Sequence, residues 1–113
     1  MSLQFEHFES AYNNLKKRLT PTPLIKNEWL SKQYGCEVYL KLENLQPVGS
    51  FKLRGALNMI ANLTDEQRSK GVLAVSAGNH AQGVAWAAEI YKTKATIIMP
   101  KPSPLVKIMN TEA

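Results

Sequence analysis

The most informative part of this sequence reads Val72-Leu73-Ala74-Val75-Ser76-Ala77-Gly78-Asn79-His80-Ala81-Gln82-Gly83. Its first four residues are apolar, and so short an apolar run bounded by turn residues predicts a buried strand. The small and polar residues from Ser76 to Asn79 predict a sharp turn. A helix is predicted from about His80 to Tyr91, so this part of the chain is a strand-turn-helix unit.

Similar units flank this one. Before this unit we predict a strand over Glu37–Leu42, a loop over Asn44–Gly49 and a helix over Phe51–Leu63 capped by Ser50. A short helix follows, opened by a Thr64/Gln67 capping box and closed by Gly71. After the unit we predict a strand over Lys94–Met99 and a helix beginning at Pro104. Strands and helices thus alternate from Glu37 onward, which predicts parallel strands with right-handed crossovers. The expected fold class is α/β, with an open, mainly parallel sheet covered by helices.

The first third of the chain has a different character. Apolar residues at spacings of three and four predict a helix over Phe5–Arg18. Pro21 and Pro23 then favour an extended connection. A second helix is predicted over Leu24–Tyr34, with Gly35 as its stop. We therefore divide the chain into residues 1–23, a helix with a proline-containing connection, and residues 24–113, part of an α/β domain.

Composition excludes several classes of function. The net charge of +5 is spread along the chain, whereas nucleic-acid binding calls for a basic stripe on one face. Cys36 is the only cysteine, so an intrachain disulfide is impossible, and one Cys with two His argues against a metal site. No apolar run is long enough to span a bilayer. We expect a cytoplasmic protein without nucleic-acid, membrane or metal partners.

The first motif suited to catalysis or ligand binding surrounds Lys52, in the segment Gly49-Ser50-Phe51-Lys52-Leu53-Arg54-Gly55. Lys52 is predicted in the first turn of its helix, where a cation opposes the helix dipole. That setting favours the neutral amine, which suits a Schiff-base or general-base role. A solvated surface lysine is the simpler interpretation of this residue taken alone. Arg54 could form an ion pair with Glu43 across the preceding loop, but the sequence does not decide whether it does.

The second motif is the turn from Ser76 to Gly83. In parallel α/β sheets, ligands bind at the carboxyl ends of strands, where the N–H groups of the next helix point outward and favour anions. A carboxylate or phosphate suits this turn, although an ordinary capped turn has the same spacing. Gly83 and the alanines after it give the helix slim faces, which indicates close packing on the sheet.

Together the motifs resemble a known enzyme family. The segments Pro47-Val48-Gly49-Ser50-Phe51-Lys52-Leu53-Arg54-Gly55-Ala56 and Ser76–Gly83 are similar to those of threonine dehydratase (threonine ammonia-lyase), of the fold-type II, tryptophan-synthase-β-like pyridoxal-phosphate enzymes. Agreement extends to Thr22-Pro23-Leu24, Lys41-Leu42-Glu43-Asn44-Leu45-Gln46 and Thr64-Asp65-Glu66-Gln67. The resemblance covers nearly all of the chain from Thr20 onward. It implies the smaller domain of such an enzyme together with N-terminal helices.

The resemblance also implies roles for individual residues. Lys52 would hold pyridoxal 5'-phosphate as a Schiff base and, once freed, take the α-proton of the substrate. Phe51 would pack near the cofactor ring, and Asn79 would hydrogen-bond its phenolic oxygen. The loop Ser76, Ala77, Gly78, Asn79 and His80 would hold the substrate carboxylate. The implied reaction converts L-threonine or L-serine to a 2-keto acid and ammonia, in a protein that is a homo-oligomer at full length.

Two alternatives remain. One is serine racemase or another fold-type II enzyme, although serine racemase carries a second serine where this chain has Ala77. The other is a non-catalytic small-molecule binding module in which Lys52 acts only by its charge. The family's glycine-rich phosphate loop and its pyridine-nitrogen contact are not among these residues. We therefore expect the 113 residues alone to bind cofactor poorly and to lack turnover.

Overall fold

A computed structural model describes residues 2–112 of the chain. Its elements, in chain order, are α1 (Phe5–Leu15), β1 (Leu24–Lys26), α2 (Glu28–Tyr34), β2 (Tyr39–Lys41), a 3-10 turn (Glu43–Leu45), α3 (Lys52–Ala61), α4 (Asp65–Lys70), β3 (Val72–Val75), α5 (Asn79–Ile90), β4 (Ala95–Ile98) and α6 (Leu105–Glu112). The bounds of the predicted helices and strands shift by one to three residues at most ends, and only the second helix begins later by more. The α/β class expected from the sequence is confirmed.

The parallel part of the sheet is formed by β3 and β4. Val72 pairs with Ala95 and Val75 pairs with Ile98, so the two strands run in register with α5 as their crossover. The ladder continues past the end of β3, because the Ser76 N–H donates to the Ile98 carbonyl at 3.0 Å. This pairing confirms the parallel unit and brings the turn after β3 to the carboxyl edge of the sheet.

The other strand pair corrects two predictions. Leu24–Lys26 is a strand, not the start of a helix, because Pro23 precedes it and Asn27 caps α2 by accepting from the Leu30 N–H at 2.8 Å. This β1 pairs antiparallel with β2. Strand β2 therefore does not join the parallel pair, and the described residues contain two separate two-stranded sheets.

Of the two predicted helix caps, one is confirmed and the other is wrong. At α4, Gln67 N–H donates to Thr64 Oγ1 at 3.2 Å and Thr64 N–H donates to Gln67 Oε1 at 2.8 Å, which confirms the capping box. Gly71 ends this helix at φ 84°, as predicted. At α3, the capping residue is Phe51 rather than Ser50, and the Ser50 hydroxyl is buried without a partner among residues 2–112.

The core lies between α3 and α5, and α1 packs against α3. Both helices bury small and branched apolar side chains against each other: Leu53, Ala56, Leu57 and Ile60 from α3, and Ala81, Val84, Ala87 and Ala88 from α5. Alternate strand residues pack beneath them, among them Val72, Ala74, Ala95 and Ile97. The core therefore fixes the relative position of α3 and α5, whose first turns carry the two motifs.

The opposite face of the parallel strands is open. Leu73, Val75 and Ile98 are 66%, 71% and 50% exposed. None of the helices between residues 2 and 112 combines the length and apolar character needed to cross a membrane. Across the same residues, no three His, Cys, Asp or Glu side chains group as metal ligands do.

Candidate functional site

The two motifs meet at Gly83. A Cβ atom placed on this glycine would lie 3.2 Å from the Leu53 nitrogen and 3.3 Å from the Lys52 carbonyl oxygen, so α5 touches the backbone of the first turn of α3. The slim face predicted from the sequence is real, but at Gly83 it packs on α3 and not on the sheet. The consequence is that Lys52 starts its helix beside the helix that follows the Ser76 turn.

Lys52 is the first residue of α3, and its side chain is exposed. Its Nζ atom lies 5.3 Å from the centroid of the Phe51 ring, within range of a cation–π contact. Phe51 is itself 59% exposed. Among the ion pairs found within residues 2–112, none involves Lys52. The amine is therefore accessible and lies next to an aromatic surface.

The turn after β3 presents backbone donors. The Gly78 N–H donates to Ser76 Oγ at 3.2 Å, which shapes the turn. Gly78 is the N-cap of α5, and no side chain caps the helix. The N–H groups of Asn79, His80 and Ala81 occupy the first turn, where an α-helix has no internal acceptors for them. This edge of the sheet is suited to bind a carboxylate or phosphate.

Asn79 and His80 point to different neighbours. Asn79 Oδ1 accepts a hydrogen bond from Lys107 Nζ of α6. The amide nitrogen of Asn79 is left as a donor toward a ligand in this orientation. His80 lines an apolar cleft of about 440 Å³ with Met59, Leu73 and Val84. Within residues 2–112, no hydrogen bond joins either residue to Lys52.

A polar network forms around Glu43 and Arg54, close to Lys52 in the chain. From the sequence, only a pair between these two residues was suggested. Arg54 Nε and Nη2 donate to the two carboxylate oxygens of Glu43, both at 2.8 Å. Thr22 Oγ1 donates to Glu43 Oε1 at 2.6 Å, and Gln46 Nε2 donates to Glu43 Oε2 at 3.2 Å. The bidentate geometry is the strong form of an arginine–carboxylate pair.

This network changes the acid–base properties of its two ions. The hydrogen bond from Arg54 lowers the pKa of Glu43 to about 2, against the opposing effect of burial, with smaller contributions from Thr22 and Gln46. The same bond raises the pKa of Arg54. Both groups are therefore charged at neutral pH.

The sequence is similar to a set of enzymes that share one cofactor. Residues 15–113 match the family described as pyridoxal-phosphate dependent enzyme. The chain is 51% identical over 109 residues to L-threonine ammonia-lyase of Thermotoga maritima, covering 96% of the chain and 27% of that protein. It is 57% identical over 104 residues to the biosynthetic L-threonine dehydratase of Lactococcus lactis, covering 92% of the chain and 25% of that protein.

Solved structures of relatives have the same fold. Serine racemase of Dictyostelium discoideum superimposes with a TM-score of 0.91 at 36% identity, over 96% of this chain and 36% of that one. Threonine deaminase isoform 2 of Solanum lycopersicum gives a TM-score of 0.85 at 41% identity, over 96% and 30%. The chain thus spans about a quarter to a third of the length of these relatives. With a family match over most of its length and this fold, the chain belongs to the pyridoxal-phosphate dependent enzymes.

Proposed function

We propose that the full-length protein containing this chain dehydrates and deaminates L-threonine or L-serine to a 2-keto acid and ammonia. The observation that carries this proposal is the contact at Gly83, which places Lys52 beside the helix whose first turn presents anion-binding N–H groups. An amine and an anion site are the two elements needed to hold an amino acid at a covalent cofactor. The threonine ammonia-lyases and dehydratases among the relatives support the choice of reaction.

The residues present fit pyridoxal phosphate. The Ser50 hydroxyl, two positions before Lys52 in the chain, is buried without a partner among the described residues, so this segment keeps unused hydrogen-bonding capacity. Lys52, Phe51 and Asn79 then offer an amine for the aldehyde, an aromatic surface for the ring and an amide donor for the phenolic oxygen. When bound, the cofactor supplies an electron sink that stabilises negative charge at the substrate's α-carbon.

Lys52 has two roles in this proposal. Its amine would hold the cofactor covalently. When it is not bonded to the cofactor, the same amine would accept the α-proton of the substrate. The exposed position of Lys52 at the start of α3 lets the side chain move between these roles while its backbone stays fixed against Gly83.

The loop from Ser76 to His80 binds the substrate carboxylate in this proposal. The N–H groups at the start of α5 supply the donors, and the N-terminal end of the helix dipole favours the negative charge. Ala77 brings no hydroxyl to this loop. Position 77 therefore offers no acid or base to the opposite face of the substrate's α-carbon, which disfavours racemisation and favours the lyase.

Three alternatives to this proposal can be distinguished by experiment. Serine racemase is supported by the shared fold and by 36% sequence identity. L-threo-3-hydroxyaspartate ammonia-lyase of Saccharomyces cerevisiae is 45% identical over 101 residues, so another β-hydroxy amino acid is a second substrate candidate. A binding module without catalysis would use Lys52 only as a cation.

We further propose that the full-length protein is a cytoplasmic homo-oligomer. The family resemblance supports the homo-oligomer, and the single, exposed Cys36 fits a reducing compartment such as the cytoplasm.

The test is turnover by the full-length protein loaded with pyridoxal phosphate. L-threonine and L-serine should each yield a 2-keto acid and ammonia, and Lys52→Ala should reduce kcat by at least about a thousandfold, because both roles of the amine are lost. D-serine as the main product from L-serine would favour the racemase. Absence of turnover with any β-hydroxy amino acid, from protein that is folded and loaded with cofactor, would leave only the binding module.

A further inference from the structure

The Glu43–Arg54 pair joins two parts of the fold. Arg54 lies in the first turn of α3, two residues after Lys52, whereas Glu43 begins the 3-10 turn that follows β2. The two 2.8 Å hydrogen bonds between them therefore connect the helix start to the antiparallel strand pair. The Glu43 side chain is only 18% exposed and that of Arg54 33% exposed, so solvent weakens this pair less than it weakens a surface pair.

Glu43 is itself held in place. Thr22 and Gln46, which donate to its two oxygens, are both buried. Lys41 Nζ donates to the Thr22 carbonyl at 2.5 Å, which fixes the segment that carries Thr22. These two donors, one on each oxygen, hold the carboxylate in a single orientation, so the position of Arg54 is set by a rigid acceptor.

The first turn of α3 is thus held by contacts on two sides. Residues two positions apart in an α-helix point about 200° apart, so Arg54 and Lys52 lie on nearly opposite faces of the turn. Arg54 is drawn toward the strand pair, while the backbone of Lys52 and Leu53 rests against Gly83 of α5. Neither contact touches the Lys52 amine, which remains free for chemistry.

We propose that Glu43 and Arg54 are positioning residues that hold the first turn of α3 so that Lys52 is aimed at the reacting atoms. This inference rests on the proposed function of Lys52. A flexible four-carbon side chain can reach a proton only if its backbone anchor is fixed, and a misplacement of about 1 Å costs up to about 100-fold in rate. The effect belongs to kcat, because proton transfer by Lys52 takes place after the substrate has bound.

The experiment compares three variants of the full-length, cofactor-loaded protein. Glu43→Gln removes the charge but keeps the shape, and Arg54→Lys keeps the charge but loses the planar fork. Glu37→Gln is the matched control, because Glu37, two residues before β2, forms a 2.9 Å ion pair with Lys26 of β1 and its side chain is 67% exposed. Measured for each are kcat, KM, the melting temperature, and the rate at which borohydride fixes the cofactor on Lys52.

We expect Glu43→Gln and Arg54→Lys to lower kcat by about 10- to 100-fold with KM changed less than about threefold. The borohydride rate should change with kcat, since the lysine sits differently, and Glu37→Gln should match wild type within about twofold. A purely structural pair predicts a lower melting temperature with wild-type kcat and borohydride rate in the folded protein, and that result would overturn the proposal.

Failure of this proposal is distinct from failure of the proposed function. A wild-type protein whose Lys52 is not labelled refutes the cofactor role itself. Labelled wild type with unchanged kcat in the variants refutes only the positioning role. If Glu43→Gln does not fold, Glu43→Asp keeps the charge but shortens its reach, and a wild-type kcat in folded Glu43→Asp contradicts the proposal equally.

Discussion

Gly83 is the single residue on which the approach of the two motifs depends. Its missing side chain lets α5 rest on the Lys52 and Leu53 backbone. The sequence predicted both motifs and a slim helix face, because those signals are local. It did not predict that the glycine meets α3, since that contact depends on how two helices pack over a common sheet.

We predict that Gly83→Ala destabilises the full-length protein by about 1–3 kcal/mol, because the new Cβ atom would stand 3.2–3.3 Å from backbone atoms that cannot rotate away. The first turn of α3 should shift and slow the reduction of the cofactor onto Lys52. Gly55→Ala is the control, since nothing lies within 4 Å of its Cβ position. It should stabilise by up to about 1 kcal/mol in a thermal unfolding measurement. Equal effects of the two substitutions would contradict this account.

Side-chain pairs illustrate where sequence reasoning stops. The 11-residue separation of Glu43 and Arg54 allowed a pair but did not require one, and the structure forms it. Lys107 lies 28 residues from Asn79 and gave no signal at all, yet it donates to the Asn79 amide oxygen. Such contacts follow from the tertiary fold and carry no local pattern.

Because of Glu43, the free energy of unfolding should change with pH in the acidic range. Its pKa is about 2 in the folded protein against an ordinary 4.5, so its contribution is present above pH 4.5 and is lost as the pH falls toward 2. Glu43→Gln should therefore cost about 1–3 kcal/mol at pH 7 and progressively less below pH 4.5. Urea unfolding of both full-length proteins across this range tests the sign. A stability difference that stays constant between pH 7 and pH 3 would refute it.

At the level of elements, predictions were best where a cap or turn residue marks an end. The Thr64/Gln67 box, the strand Val72–Val75 and the turn before α5 were all predicted from local signals. Leu24–Lys26 was predicted wrongly, because a proline before it and an asparagine after it outweigh the helical pattern. The prediction that β2 joins the parallel strands was likewise wrong: β2 pairs with β1, and strand order is not a local property.

The capping box of α4 gives a prediction at this scale. Thr64→Ala removes the acceptor of the Gln67 N–H and should cost about 1 kcal/mol of stability in full-length protein. Ser69→Ala, in the same helix, loses only an exposed hydroxyl bonded to the Glu66 carbonyl and should change stability by less than about 0.5 kcal/mol. Chemical unfolding curves provide the comparison, and a Thr64→Ala effect no larger than that of Ser69→Ala would show that the box contributes nothing.

At the level of the whole molecule, the open face of the parallel strands is the dominant feature. Leu73, Val75 and Ile98 are at least half exposed, whereas parallel sheets are normally covered on both faces. The chain also spans only about a quarter to a third of its relatives. Fold class and family were predictable from the sequence because its two motifs are long and correctly ordered.

We predict that residues 1–113 expressed alone expose this face and fail to turn over substrate. A dye specific for apolar surface should bind the isolated chain more strongly, per mole, than it binds the full-length protein. Keto-acid formation from L-threonine should be undetectable with added pyridoxal phosphate. Turnover by the isolated chain at even a few per cent of the full-length rate would contradict this prediction.

The central claim is that Lys52 holds the cofactor, and borohydride reduction tests it most directly. The full-length protein is loaded with pyridoxal phosphate, reduced, digested and mapped by mass spectrometry, with Lys17 and Lys32 as exposed internal controls. We predict one pyridoxyl group per chain, on Lys52, and none on the control lysines. A folded, cofactor-saturated protein with Lys52 unmodified, or with label spread over surface lysines, would contradict the claim.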